Sequence, residues 1–331
     1  MISMNATTTS TVRPVVHDGA HSIETTRYLL PTPSIMGCKD FLRQCIDNRA
    51  TGATIYGPPR YGKSKAILYL SMVLAEDFGT NVPIIRMLCH DKFPSETVFF
   101  GDLLRAAGHA LCEKGTGASK RNRLLEYAVE MVEESKQNRL IIFLDEAQRL
   151  HERQYNWLID FHNELDAKEV SAIVLLVGQP DLMDQLTAFQ AGKKMQIIGR
   201  FMVHRYRFHG LQDAEDIRMC LDGYDTNSEY PAGSGVSFTR YYYPAGFEQG
   251  FRLASYADEL WEAFRQTREE ASLPGSKEIP MQYFCRTVEY ALKHFGTLEV
   301  LTSHLSIAQW KEAIGVSGYA DAERYICDPI E

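Results

Sequence analysis

The chain has 331 residues, 45% of them hydrophobic, with 35 basic and 43 acidic side chains giving a formal charge of -8. That length holds one large α/β domain with an appendage, or two ordinary domains, and either buries a sizeable core without staples. The acidic balance argues against nonspecific nucleic-acid binding over the whole surface, because phosphate neutralisation needs clustered Lys and Arg; it leaves room for a local basic stripe. Seven cysteines carry no C-x-x-C pair, and the odd count suits neither a disulfide framework nor a zinc site, so a reducing, cytoplasmic compartment is expected. The opening residues 1–11 lack the basic and apolar regions of a secretory signal, and no run approaches the roughly 18 apolar residues needed to span a bilayer. No membrane partner is expected.

In chain order, residues 1–34 read as an N-terminal arm, partly disordered, with Pro14, Pro31 and Pro33 favouring extended structure in a linker or wrapping segment. Phe41, Leu42, Cys45 and Ile46 have helical spacing ahead of Gly52. A βα alternation follows: a strand over 52–56, a Gly-rich loop, a helix over 63–78 and a strand over 82–88. Helices are predicted over 98–112 and 124–136, with a basic loop over 113–123 between them. The apolar runs 140–144 and 172–177 are expected to be central parallel strands buried on both faces. Beyond residue 211, helices are predicted over 255–270, 280–295 and around 307–314, and the Gly- and Tyr-rich stretch 222–252 has no defensible period. The expected organisation is an arm (1–34), a nucleotide-binding α/β domain with a central parallel sheet (35–210) and a C-terminal helical lid (211–331) carrying an irregular aromatic-rich insertion at 222–252.

The chemistry-bearing motif is Gly57-Pro58-Pro59-Arg60-Tyr61-Gly62-Lys63-Ser64, a complete G-x-x-x-x-G-K-[ST] between a strand and a helix, with Lys65 following. Its glycines let backbone N–H groups face phosphates at a helix N-terminus. Lys63 is expected on the β and γ phosphates and the Ser64 hydroxyl on Mg²⁺. Asp145, ending an apolar strand, would hold the same Mg²⁺ through water, and Glu146 directly after it would polarise the attacking water as general base. Gln179, closing the next strand, would sit beside the γ phosphate. Arg200 is the candidate arginine finger for a neighbouring subunit's nucleotide, with Arg205 and Arg207 as alternatives. Arg286, at the start of a lid helix, could fold over bound ATP. The stretch 114–123 holds four cations, Lys114, Lys120, Arg121 and Arg123, and no acid, as suits contacts with backbone phosphates. A solvated loop explains the same charges.

Together the P-loop, the ending Asp145-Glu146-Ala147-Gln148-Arg149-Leu150, the Val177-Gly178-x-x-x-Leu182 turn and Arg200-Phe201 resemble the AAA+ regulators of transposition, the TnsC/TniB family, including those of CRISPR-associated transposons. The resemblance covers roughly residues 35–215 and the lid only loosely. It implies a Mg²⁺-dependent ATPase, slow and coupled to assembly, that forms a ring of six or seven subunits or a filament on duplex DNA. It also implies that the assembly links a TniQ-type target-selection protein to the transposase. Members without a large basic tail touch the DNA backbone from a loop placed like Lys114-Gly115-Thr116, which moves Lys114 and Thr116 up as DNA contacts. Gln179 departs from the usual Asn, Thr or Ser, and the acidic end 321–331 is the short counterpart of longer partner-binding tails. Relatives in secretion and plasmid systems share these features, so a regulatory ATPase acting on protein partners without DNA is the alternative. A slow nucleotide switch would share every motif.

Overall fold

The computed structural model describes residues 13–78, 82–296 and 304–327. The Thr-rich opening and the end of the acidic tail lie outside the described residues. In chain order the elements are α1 (Ser22–Thr25), α2 (Pro33–Asp47), β1 (Gly52–Tyr56), α3 (Lys63–Asp77), β2 (Ile84–Leu88), α4 (Glu96–Ala106), α5 (Gly117–Ser135), β3 (Arg139–Asp145), α6 (Glu152–Ala167), β4 (Ser171–Gly178), α7 (Asp181–Ala191), α8 (Met195–Ile197) and β5 (Arg205–Arg207). There follow α9 (Ala214–Asp225), α10 (Phe238–Tyr242), α11 (Pro244–Glu248), α12 (Ala257–Glu270), α13 (Met281–Phe295), α14 (Ile307–Ser317) and α15 (Tyr319–Cys327). They form two compact units, one spanning Ser34–His209 and the other joining the residues up to Pro33 with those from Gly210 onward.

The first unit is built on a five-stranded, all-parallel sheet in the order β2-β3-β4-β1-β5. Its central strands read as unbroken apolar runs because each face has its own core. Leu140, Ile142, Leu144, Val174 and Leu176 pack with α4, α5 and α6, including Phe100, Leu124 and Phe161. Alternate residues, Ile141, Phe143, Ile173, Leu175 and Val177, pack with Cys38 and Leu42 of α2 and Ile67, Leu70 and Leu74 of α3. Period-two alternation of Cβ direction thus divides one hydrophobic run between two layers. Since β4 lies between β1 and β3, the carboxyl end of β4 falls between the loop after β1 and the acids after β3. Ligands of open parallel sheets gather at that end.

Two expectations need correction in detail. The stretch 113–123 is not a loop throughout: the Thr116 side chain accepts the Ser119 N–H at 3.3 Å and caps α5, which begins at Gly117. The glycines at 115 and 117 suggest a breaker, yet Gly115, at φ 101, makes the turn that lets Thr116 cap the helix. The second correction concerns the aromatic stretch 222–252, expected as an irregular insertion, which contributes to the core of the second unit. Tyr224, Phe238, Tyr241, Tyr242, Tyr243 and Phe251 are buried with residues of α12 and α13. The Asp225 carboxylate, at the end of α9, accepts the N–H groups of Leu253 and Ala254 at 3.0 Å each and closes the stretch on itself.

The N-terminal segment from residue 13 to Pro33, expected as a linker or wrapping arm, packs into this second core through Ile23 and Leu30. His21 is 1% exposed, ringed by Tyr230, Phe238, Tyr241 and Tyr242. The end of the chain is fastened by a buried pair, Arg268 on α12 with Glu323 on α15 at 3.2 Å, and Arg268 also donates to Tyr319. Among the described residues no helix is long and apolar enough to cross a membrane.

Candidate nucleotide site

The loop after β1 is fixed at its root by close backbone approach. Gly57 donates its N–H to the Gly178 carbonyl at 3.2 Å, and Phe208 donates to the Tyr56 carbonyl at 2.7 Å. A Cβ on Gly57 would lie 2.2 Å from the Phe208 carbonyl oxygen, so only glycine fits. Gly62, at φ 95, turns the chain into α3, and Arg60 also takes a left-handed conformation at φ 69. Lys63, the first residue of α3, is 7% exposed and donates to the carbonyls of Gly57 and Pro58 at 2.7 Å each. Its ammonium is thereby held against the loop with two anionic neighbours. Burial pulls the Lys63 pKa down to about 8, against the opposing pull of the Glu146 and Asp145 carboxylates.

The acids after β3 arrive at the same place. The Ser64 hydroxyl donates to Asp145 Oδ2 at 2.7 Å, and the Glu146 N–H donates to Asp145 Oδ1 at 3.0 Å. Burial raises the Asp145 pKa, while the Ser64 hydroxyl and the Glu146 N–H hold the rise back. Glu146 takes the left-handed conformation at φ 56, uncommon for a residue with a Cβ and a mark of local strain at a working position. Its Oε2 accepts from Gln148 Nε2 at 2.7 Å and lies 3.6 Å from Arg149 Nη2. Gln179 follows β4 directly, with its backbone N–H donating to Gln148 Oε1 at 3.1 Å. The structure therefore brings together Gly57 to Ser64, Asp145, Glu146 and the turn at Gln179.

A family model described as an AAA domain matches residues 46–186, which contain every one of these groups. The nucleotide-binding unit has the AAA+ P-loop ATPase fold. Its architecture is consistent with an ATP-binding, ATP-hydrolysing enzyme. No curated protein matches the chain. Solved structures with a similar fold include the ORC2 protein of Aeropyrum pernix in ADPNP and ADP complexes, with TM-score 0.54, 12% identity and coverage of 90% of this chain and 71% of that one. Cdc6p of Pyrobaculum aerophilum aligns at TM-score 0.45 and 15% identity, covering 94% of this chain and 86% of that one. A chain of Drosophila ORC bound to DNA aligns at TM-score 0.45 and 11% identity, covering 95% and 70%.

Arg200 of this AAA+ unit lies elsewhere. It sits in a π-helical turn, Ile198–Met202, and its carbonyl accepts the Thr51 hydroxyl at 2.8 Å beside the amino end of β1. Five strand residues at roughly 3.3 Å each put about 16 Å between that end and the P-loop. Its guanidinium is held by α6, at 3.1 Å from His162 Nδ1 and 2.6 Å from Asn163 Oδ1. His162 Nε2 lies 3.0 Å from the Ala172 carbonyl, so the neutral tautomer with hydrogen on Nε2 satisfies both contacts. Arg205 and Arg207, the other finger candidates, are exposed on β5, an edge strand that sequence periodicity did not reveal because it has three residues.

Arg286 belongs to the second unit, is exposed on α13 and donates to the Ser317 carbonyl at 3.4 Å. Of the expected DNA contacts, Lys114 and Thr116 are exposed. Lys120 is 4% exposed, with its ammonium in space left open by Gly101, where a Cβ would meet Nζ at 2.8 Å. Arg121 pairs with Glu96 and Glu164 at 3.8 Å, and Arg123 donates to the carbonyls of Leu111 and Lys114 at 2.9 and 2.8 Å. Lys120 and Arg123 thus serve the α4–α5 region, and Arg121 reaches from α5 to α4 and α6. Gln148 stands inside the sequence motif, where nothing local gives it a role. Its signal is the glycine at 178, which makes room for its carboxamide.

Proposed function

We propose that the protein is an ATP-dependent AAA+ regulator of DNA transposition, which oligomerises on duplex DNA and links target-selection proteins to a transposase. The observation that carries the oligomeric part is the separation of Arg200 from the P-loop of its own chain. An arginine about one strand length away serves as a finger only in trans. Met195 and Val203, on either side of Arg200 in sequence, are exposed apolar side chains, and so are Leu68 and Met72 on α3 beyond the P-loop. Exposed apolar side chains near both Arg200 and the P-loop helix suit a head-to-tail contact, the kind that generates rings or filaments.

Within the site, Ser64 Oγ and Asp145 Oδ2 form a pair of hard oxygen donors of the type Mg²⁺ takes alongside waters and phosphate oxygens. The bound ion would neutralise charge on the β and γ phosphates. Lys63 adds a second positive charge there, and the loop glycines present N–H groups. Glu146 accepts a proton from the attacking water as oxygen bonds to the γ phosphorus; the bond to the β-γ bridging oxygen breaks, leaving ADP and phosphate.

The DNA part rests on Lys114 and Thr116 and on the family resemblance. Both residues lie at the exposed start of α5, whose first turn packs against Glu96 at the start of α4. Lys92, also exposed, precedes α4. Cations at such positions grip backbone phosphates without reading sequence. Gel-shift titration of duplex DNA with ATP, ADP and no nucleotide tests this. ATP-dependent binding that Glu146→Gln prolongs, Lys63→Ala abolishes and Lys114→Glu weakens is expected. Equal affinity in all three nucleotide states, with no effect of Lys114→Glu, would instead favour a regulatory ATPase of protein partners.

A further inference from the structure

The Gln148 carboxamide spans two groups of different origin, the carboxylate of Glu146 and the backbone N–H of Gln179. Only one orientation of that amide satisfies both. Nε2 must face a carboxylate that accepts, and Oε1 must face an N–H that donates. The arrangement therefore makes Glu146 Oε2 an acceptor. It engages Oε2 alone; among the described residues no hydrogen bond to Glu146 Oε1 is found, leaving that oxygen for water.

The bridge is anchored at both ends. The Gln148 and Leu150 carbonyls accept from Gln185 Nε2 of α7 at 2.7 and 3.1 Å, and Gln185 Oε1 accepts from buried Tyr155 of α6 at 3.0 Å. The turn that carries Gln148 is thus fixed to α7, the helix that Gln179 introduces. A Cβ on Gly178 would come 2.2 Å from Gln148 Oε1, so the strand end is kept bare for this carboxamide.

We propose that Gln148 is a positioning residue that fastens the base to the turn after β4, so that movement of the turn at Gln179 moves the Glu146 carboxylate with it. The proposal rests on Glu146 being the base. The hydrogen bonds of Gln148 run to Glu146, Gln179 and Gln185 rather than to the P-loop or Ser64, so its loss acts on the chemical step rather than on nucleotide capture. A base displaced by about 1 Å loses on the order of a hundredfold in rate.

The test uses the full chain with ATP and Mg²⁺. Gln148→Ala is expected to lower kcat about ten- to hundredfold with KM for ATP within about threefold. Gly178→Ala, whose Cβ would meet Gln148 Oε1 at 2.2 Å and Leu182 Cδ1 at 2.9 Å, should also lower kcat by displacing the carboxamide. Gln148→Glu supplies the discriminating readout. When protonated, the introduced carboxyl reproduces both contacts, its O–H donating to Glu146 and its carbonyl accepting from Gln179; when ionised, it repels Glu146. Lys63, Asp145, Arg149 and Cys89 also face the Glu146 carboxylate, and they are common to all variants. The ratio of kcat for Gln148→Glu to wild type should rise about tenfold or more from pH 8 to pH 6, while the Gln148→Ala ratio stays flat. A Gln148→Ala kcat within twofold of wild type, or a flat Gln148→Glu ratio, overturns the proposal if Glu146→Gln is inactive. An active Glu146→Gln overturns the assignment of the base itself.

Discussion

Lys63 is where pH first reaches the nucleotide site. Its pKa is lowered from 10.5 to about 8, chiefly because its ammonium is buried. The sign follows from linkage: between pH 8 and 10.5 the unfolded chain holds a proton on this lysine that the folded, nucleotide-free chain does not. A triphosphate brought against Nζ restores the charged form, so binding at about pH 9 must take up close to one proton. Titration calorimetry in buffers of different ionisation enthalpy should show that uptake at about pH 9 and almost none at about pH 7. Absence of uptake at the higher pH would remove Lys63 from the phosphate site. A second residue-scale expectation concerns Gly57. Gly57→Ala forces β1 and the Phe208 backbone apart and should cost about 3 kcal/mol, read as a lower denaturation midpoint. The P-loop and the Asp-Glu pair were legible because each is a contiguous pattern with one chemistry. Gln148 was not, because its meaning depends on Gln179, 31 positions away, and on a glycine whose missing side chain leaves no trace of its purpose.

At the scale of elements, the parallel sheet was readable and so were the starts of α3, α13 and α14, but the start of α5 was not. Runs such as Leu140 to Leu144 admit little besides a strand buried on both faces, and their alternate residues do face two cores. The segment before Leu124 misled because Gly115 and Gly117 carry breaker chemistry while Thr116 between them carries a cap. Local propensity could not decide which dominates. The cap predicts that Thr116→Ala costs about 1 kcal/mol and Thr116→Ser much less, by chemical denaturation. The pair of variants also separates two roles for this residue. If Thr116 only caps, Thr116→Ser keeps both stability and DNA affinity. If its methyl and hydroxyl also meet the DNA backbone, affinity falls while stability does not. The aromatic stretch was opaque for another reason: its short helices, α10 and α11, span five residues each, too few for a 3.6-residue period to emerge. Its burial comes from Tyr241, Tyr242 and Tyr243 meeting residues far away in sequence.

For the whole molecule, the chain leaves one unit and returns to it: residues before Ser34 and after His209 share a core, with the ATPase unit inserted between them. His21 is the key of that closure. Its Nδ1 accepts the Ile23 N–H at 3.1 Å, while its ring stacks on Tyr241 with centroids 4.3 Å apart. Burial, and the Arg13 charge beside it, pull its pKa from 6.5 down to about 4. A histidine held neutral contributes stability that is fully present above pH 6.5 and is lost as pH falls from 6.5 towards 4, about 3 kcal/mol over the window. His162 in the ATPase unit is shifted in the same direction, by burial first, so acid weakens both units together. His21→Asn separates them, since Asn keeps an acceptor for the Ile23 N–H and cannot titrate. The variant should start less stable at about pH 7.5, for want of the ring, and lose less between there and about pH 5 than wild type. Urea midpoints at the two pH values measure that difference. Equal losses in the two proteins would mean that the N-terminal segment does not hold His21 neutral, and that the closure depends on Ile23 and Leu30 alone.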